Sequence, residues 1–331
     1  MKIVIPMAGY GTRLRPHTWS KPKPLVTVAG KPVLGHVLDT FAPLAGIDEV
    51  VFVVGYLGQQ VESYVAEAYP QMKTRYVEQT ELLGQSHAVW LARHGLTGPA
   101  LLAFVDTLID TDLGQLGSEK AEAVAWVKKV DDPRRFGVAE VSSNGWVKRL
   151  VEKPMDASNN LAVVGFYYFR QAEKLVEAIE EQMARGEQLQ GEYFLADAVN
   201  IMLEHGLDMR VQPVEVWHDC GKAEALLETN RYLLEHGRDN STEASRRKDV
   251  VIVPPVYVDP TAAVHESVIG PHVSIGAGCE VHRSVIQDSI VDGGSQLVDT
   301  TLSGSLIGRD ARVVGRYHAL NVGDSSEVGF A

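Results

Sequence analysis

Cysteine is almost missing from this chain. Its 331 residues include only Cys220 and Cys279, too few for a disulfide framework or a Cys-rich zinc site, and a reducing, cytoplasmic setting is the expectation. Long apolar runs are missing too: no stretch reaches the roughly 18 residues of a membrane helix. The opening residues Met1-Lys2-Ile3-Val4-Ile5-Pro6 enter a strand-like run with no signal-peptide pattern. Positive charge is in deficit, with 31 Lys and Arg against 43 Asp and Glu, a net charge of −12. That balance argues against a protein that grips a nucleic-acid backbone, so an anionic ligand must be met by local groups. Apolar residues are not scarce: a composition 45% hydrophobic and 22% charged excludes a disordered chain. At about twice a typical domain length, two domains are expected.

From residue 1 to about 237, short β-rich runs alternate with helix-like segments. Ile3-Val4-Ile5 precedes a helical stretch from Val33 to Leu44, and Val50 to Val54 precedes another from Gln59 to Ala68. Further strands are expected at Ala100–Val105 and Ala123–Val127. The alternation predicts an α/β fold with a Rossmann-like, mixed but mostly parallel sheet, and apolar runs without strict alternation predict strands buried on both faces. Residues 238–249 hold Ala244 as their one apolar side chain and read as a linker or an exposed loop. After Pro254-Pro255, Ile269-Gly270, Ile275-Gly276 and Val281-His282 recur every six residues, with Val273, Cys279 and Val285 four further on. Ile269 and Ile286, like Ile290 and Ile307, stand 17 residues apart, close to one turn of a three-sided parallel β-helix. The hexads become irregular between Asp288 and Thr301, so a short or imperfect coil is expected over 250–331.

The first strand runs into Gly9-Tyr10-Gly11-Thr12-Arg13-Leu14-Arg15-Pro16, where open α/β sheets bind ligands. Glycines there let backbone amides approach phosphate oxygens. Leu14 stands where a dinucleotide fingerprint needs its third glycine, and the Gly-Lys-Ser/Thr ending of a P-loop is absent. Instead Arg13 and, ten residues on, Lys23 supply two cations that can converge on one polyphosphate.

These residues carry a resemblance. Gly9-x-Gly11-Thr12-Arg13-Leu14-x-Pro16-x-Thr18, then Lys21-Pro22-Lys23-Pro24-Leu25 and Gly30-Lys31-Pro32, resembles the opening signature of the sugar-phosphate nucleotidylyltransferases, the nucleotide-sugar pyrophosphorylases. Phe104-Val105-Asp106, Phe136-Gly137-Val138, Glu152-Lys153-Pro154, Val164-Gly165-Phe166-Tyr167, Gly191-Glu192-Tyr193 and Trp217-His218-Asp219-Cys220-Gly221 follow in the family's order. The C-terminal hexads resemble the left-handed β-helix that many members append. The pattern is departed from at Val105, where many relatives have glycine.

The resemblance implies a nucleotide-diphospho-sugar transferase fold in a catalytic domain over 1–237, a linker over 238–249 and a left-handed β-helix over 250–331. It implies attack of a sugar 1-phosphate, glucose 1-phosphate first, on the α-phosphorus of dTTP or UTP. The shared signature keeps mannose 1-phosphate with GTP, and N-acetylglucosamine 1-phosphate with UTP, as alternatives, and a catalytically silent regulatory subunit as the rival of another class. Asp106 and Asp219, each ending an apolar strand-like run, are the candidates for Mg²⁺, whose hard-oxygen preference they meet. Arg13 and Lys23 would act on the reacting phosphates with amides of Ala8, Gly9, Gly11 and Thr12. Gln79 and Gly84 would read a pyrimidine edge. Lys153 would grip the sugar phosphate, and Glu152, Glu192, Gly137 and Gly165 the sugar, although either glycine also reads as a turn or bulge. The expected partners are these substrates and further copies of the chain through the β-helix, with no nucleic acid and no membrane.

Simpler readings cover the rest. His265, His272 and His282 lack a recognisable acceptor site for an acyltransferase, His218 reads as exposed filler, and Cys220 and Cys279 as small hydrophobes. Leu226, Leu227, Tyr232, Leu233 and Leu234 have the spacing of a helix packed on a core.

Overall fold

A computed structural model describes residues 1–316 together with Val322 and Ser325; the remainder of the expected coil segment 250–331 lies outside the described residues. The chain divides into two compact units, Met1–Val26 with Lys31–Thr229, and Thr27–Gly30 with the chain from Asn230 onward.

The first unit is built on a nine-stranded mixed sheet. Lys2–Pro6 lies between Ala100–Ala103 and Glu49–Val54, and Thr74–Glu78 pairs with the far side of Glu49–Val54, all in parallel. Valine and isoleucine dominate Lys2–Pro6 and Glu49–Val54, where Ile3, Ile5 and Val50 through Val53 are fully buried, as strands covered on both faces must be; the outer strand Thr74–Glu78 is only partly buried. Leu161–Phe169 is antiparallel to Ala100–Ala103 and also to Ala123–Lys129 and Gly137–Val141. Its register with Ala123–Lys129 shifts between Val163 and Tyr167, around Gly165 at φ +84°. A side-chain Cβ there would stand 2.7 Å from the Phe104 ring, so the bulge demands glycine. Helices cover the sheet by their apolar stripes. Ala172–Arg185 buries Ala172, Leu175, Ala178, Ile179 and Gln182 and stops at Gly186, a left-handed C-cap whose amide donates to Gln182 and Met183 carbonyls.

The second unit is a short left-handed β-helix: three parallel four-stranded sheets, each strand two or three residues long. Ile252, Ile269, Ile286 and Leu302 form one inward column, and Val264, Val281, Leu297 and Val313 another. Paired residues are first seventeen apart, as in Val256 with Val273 and Val268 with Val285. From Ser274 onward they are sixteen apart, as in Ser274 with Ile290, Val285 with Thr301 and Ile290 with Leu306. The echo between Ile290 and Ile307 is therefore one residue out of register, and Ile307 pairs with Val291. The coils continue through the irregular stretch by trimming Ile290–Val291 to two residues. Val273 and Cys279 point inward and are fully buried, but Val285 points outward and is 45% exposed, continuing an external column with Val251 and Val268.

Residues 238–249 carry a one-turn helix, Ser241–Ala244, whose Ala244 joins the coil core. The Asn240 side chain donates to the Val258 carbonyl and accepts from its amide, the Asn240 amide donates to Val256, and the Ser241 hydroxyl accepts from the Val256 amide. These polar groups take the hydrogen bonds that a neighbouring strand would make to Val256–Val258, the first strand of its sheet. Leu226 is buried in the first unit and Leu234 in the second.

Candidate active site

A cavity of about 810 Å³ opens beyond the carboxyl ends of Lys2–Pro6 and Ala100–Ala103, and every residue nominated above from the sequence lines it. This is the position that the parallel strands dictate, since their connections all leave the sheet at that end.

The loop from Ala8 to Arg13 forms one wall. Gly11 has φ +63° and accepts from the Thr18 hydroxyl, which ties the loop back on itself. A Cβ on Gly11 would meet Lys23 at 3.0 Å, whereas one on Gly9 would meet nothing within 4 Å. Protein packing therefore demands the second glycine but not the first. Among the described residues the amides of Gly9, Tyr10, Gly11 and Thr12 meet no protein acceptor, the arrangement of an anion cradle.

Asp106 and Asp219, 113 positions apart in sequence, come together through strand pairing. Trp217–Asp219 is antiparallel to Thr107–Ile109, with Asp219 opposite Thr107, and the Cys220 amide donates to the Asp106 carbonyl at 2.8 Å. Lys23 Nζ forms an ion pair with Asp106 Oδ2. Burial pushes the Asp106 carboxyl up, but the Lys23 ammonium, with the Arg13 guanidinium behind it, reverses this and holds it below the usual carboxylate range. Asp219 accepts from the Gly221 amide, and a Cβ on Gly221 would collide with both Asp219 Oδ1 and the Arg13 guanidinium; the missing side chain is what lets these two groups approach. Two hard carboxylates are a donor set of the kind Mg²⁺ takes, since it binds through one or two protein carboxylates and fills its shell with water and phosphate oxygens. Cys220 is fully buried beside them, its thiol pushed up to about 12 chiefly by that burial.

On another wall, Glu152 ends the strand Val147–Glu152 and Lys153 follows at φ +47°, a left-handed backbone uncommon for a side chain of this size. Lys153 Nζ lies 4.5 Å from the Phe194 ring centroid. The Glu152 carboxyl is pushed up to about 7, first by burial and then by Asp197 and Glu192, against the pull of Lys153. Gly137 faces it: a Cβ there would come within 3.0 Å of Glu152 Oε2. Gly137 thus makes room for a carboxylate, and Gly165 serves a bulge while lining the same cavity.

Gln79 is buried at the third wall, where its Nε2 donates to the Gly84 carbonyl at 3.2 Å and lies 3.1 Å from His87 Nδ1. Gly84 has φ +102°, and a Cβ on it would be 2.6 Å from the Tyr193 backbone, so no other residue fits.

The sequence reading passed over several lining residues. Phe136 and Trp217 pack edge to face at 4.8 Å, and the buried Trp217 Nε1 meets no acceptor; both lay inside quoted motifs, which was signal enough. Arg134 is committed to Asp132 at the rim, while Arg135 lies 5.9 Å from the Phe136 ring. His218 is half-buried rather than exposed filler, because strand pairing draws it in beside Asp219.

The model of the family described as nucleotidyl transferase matches residues 2–236. A glucose-1-phosphate thymidylyltransferase of Streptomyces antibioticus is 32% identical across 99% of this chain and 99% of its own. The UTP–glucose-1-phosphate uridylyltransferase AglF of Haloferax volcanii is 30% identical across 71% of this chain and 97% of its own. Among solved structures, a UDP-glucose pyrophosphorylase complexed with UDP-glucose matches 71% of this chain and 98% of its own with a TM-score of 0.62 at 23% identity, a likeness of fold.

Proposed function

Because the chain belongs to the nucleotidyl transferase family, we propose that it makes a nucleotide sugar and pyrophosphate from glucose 1-phosphate and dTTP or UTP. The observation that carries this is the convergence of Arg13, Lys23, Asp106 and Asp219 at one end of the sheet, in a cavity whose other walls offer Lys153 with Glu152 and Gln79 with Gly84. Two curated relatives named for glucose 1-phosphate and a pyrimidine nucleotide support the choice of substrates.

The nucleophile needs no strong base, since a phosphate monoester with a second pKa near 6 is mostly dianionic at neutral pH. Its oxygen bonds to the α-phosphorus as the bond to the α,β-bridging oxygen breaks; pyrophosphate leaves with that electron pair, and the α-phosphorus inverts. Catalysis is then alignment and charge neutralisation. In this reading Arg13 and the amides of Ala8, Gly9, Gly11 and Thr12 hold the departing phosphates, and Lys23 sits at the reacting ones. Lys153 anchors the sugar phosphate, Glu152 and Glu192 accept from sugar hydroxyls, and Gly137 and Gly165 leave room for the ring. Asp106 and Asp219 would hold Mg²⁺, which supplies neutralisation of the triphosphate. We assign catalysis to residues 1–237, the connection to 238–249, and assembly of copies to 250–331, in a cytoplasmic enzyme. No described helix is long and apolar enough to cross a membrane.

Pyrophosphate release with Mg²⁺, measured across dTTP, UTP, GTP, ATP and CTP with glucose, mannose, galactose and N-acetylglucosamine 1-phosphates, tests the proposal. A maximum at glucose 1-phosphate with dTTP or UTP is expected. A maximum elsewhere overturns the substrates, and silence from folded protein promotes the regulatory subunit.

A further inference from the structure

We infer that His87 is a positioning residue for base selection: it locks the Gln79 amide so that Oε1 faces the nucleotide. The inference rests on the proposed reading of the cavity as a nucleotide site. Gln79 Nε2 has two hydrogens and two neighbours, the Gly84 carbonyl at 3.2 Å and His87 Nδ1 at 3.1 Å. A carbonyl only accepts, so the amide nitrogen must face it. The same nitrogen cannot accept from a ring N–H, so His87 Nδ1 must offer its lone pair and carry its proton on Nε2. Both hydrogens of the amide are then spent inside the protein. The Oε1 atom has no partner among the described residues, and Gln79 lines the cavity.

A fixed acceptor at that point discriminates. Thymine and uracil bring an N3–H to it, while cytosine brings a bare N3 and would leave two acceptors face to face. A glutamine free to turn over would satisfy either base, because its amide carries a donor and an acceptor on opposite sides. The Gly84 carbonyl sets the sense of the amide and His87 Nδ1 adds a second acceptor that a turned-over Oε1 would have to face, so the two together, rather than the glutamine alone, confer the choice. His87 itself is steadied by stacking on Trp90, with ring centroids 6.1 Å apart. Nothing in the residue order singles His87 out, since it lies inside the helix Gln85–Leu91.

Equilibrium binding of UTP, dTTP and CTP to the full chain with Mg²⁺, for the wild type, His87→Phe and His87→Asn, tests the clamp. The wild type is expected to prefer UTP and dTTP over CTP. His87→Phe keeps a flat ring but no acceptor, and should lose roughly ten- to a hundredfold of that preference. His87→Asn restores an acceptor near the place of Nδ1 and should recover most of it. No preference in the wild type, an unchanged preference in His87→Phe, or equal losses in both variants would overturn the inference. Should His87→Phe fail to fold, the ¹⁵N signals of the wild-type His87 ring decide: an unprotonated Nδ1 supports the clamp and a protonated one refutes it. Turnover of wild-type protein with glucose 1-phosphate is recorded in parallel. Its absence with dTTP and UTP defeats the substrate reading, while the binding preference still judges the clamp.

Discussion

Arg13 and Glu152 show how differently two charged groups of one cavity are poised. Arg13 lies at the loop whose free amides face the same space, so its loss removes one preorganised donor of several. Arg13→Ala should lower turnover by about two to three orders of magnitude, read as initial rates of pyrophosphate release; a change of a few fold would move the leaving-group role elsewhere. Glu152 is held against its own ionisation, its carboxyl raised from 4.5 to about 7. Between these values the folded chain keeps a proton that the unfolded chain releases, so stability falls as pH rises through that window. Glu152→Gln cannot ionise. Its stability should match the wild type near pH 4 and exceed it at pH 8 by at most about 3 kcal/mol, read as a higher melting temperature, and equal melting curves at pH 8 would count against the burial argument. The residues nominated from the sequence were legible because most stand in short motifs, some at strand ends such as Asp106, Glu152 and Asp219, others in short turns such as Arg13 and Lys23. His87 was not, because its role depends on which way a glutamine amide points, and only coordinates carry that.

Among elements, the strands Lys2–Pro6, Glu49–Val54 and Ala100–Ala103 were readable as short apolar runs, and their ends located the cavity, whereas the parallel partners Thr74–Glu78 and Met209–Pro213 are too polar to stand out. The antiparallel part was not readable, because Leu161–Phe169 pairs with three different strands by changing register at Gly165. Nothing in an apolar run announces such a shift. Gly165→Ala should cost roughly 1–3 kcal/mol, from strain at positive φ and the contact with Phe104. It should also raise the KM for the sugar phosphate more than that for the nucleotide. A variant as stable as the wild type, with unchanged constants, would show that the bulge tolerates a side chain. The β-helix was legible as hexads, but the change from seventeen to sixteen residues per coil misplaced Ile307 by one. The period alone could not tell that Val285 faces outward.

For the whole molecule, assembly is the open property. Val251, Val268 and Val285 stack in one outward column on the coil, an apolar stripe suited to a second copy. Light scattering at working concentration should give a multiple of 36.2 kDa, and Val268→Glu with Val285→Glu should reduce it; a monomeric mass for the wild type would refute the assignment. The polar segment 238–249 reads from its sequence as a linker or an exposed loop, and nothing in that reading shows Asn240 and Ser241 laid along the edge of the coil: a side chain that takes the place of a strand is as hydrophilic as one that merely trails in water. With Asn240 and Ser241 already bonded to Val256–Val258, that edge is closed to the next molecule, as natural sheets require of their margins. Copies cannot thread themselves into a fibre by extending this sheet past its first strand, so growth without limit is blocked there while closed symmetric assembly stays open.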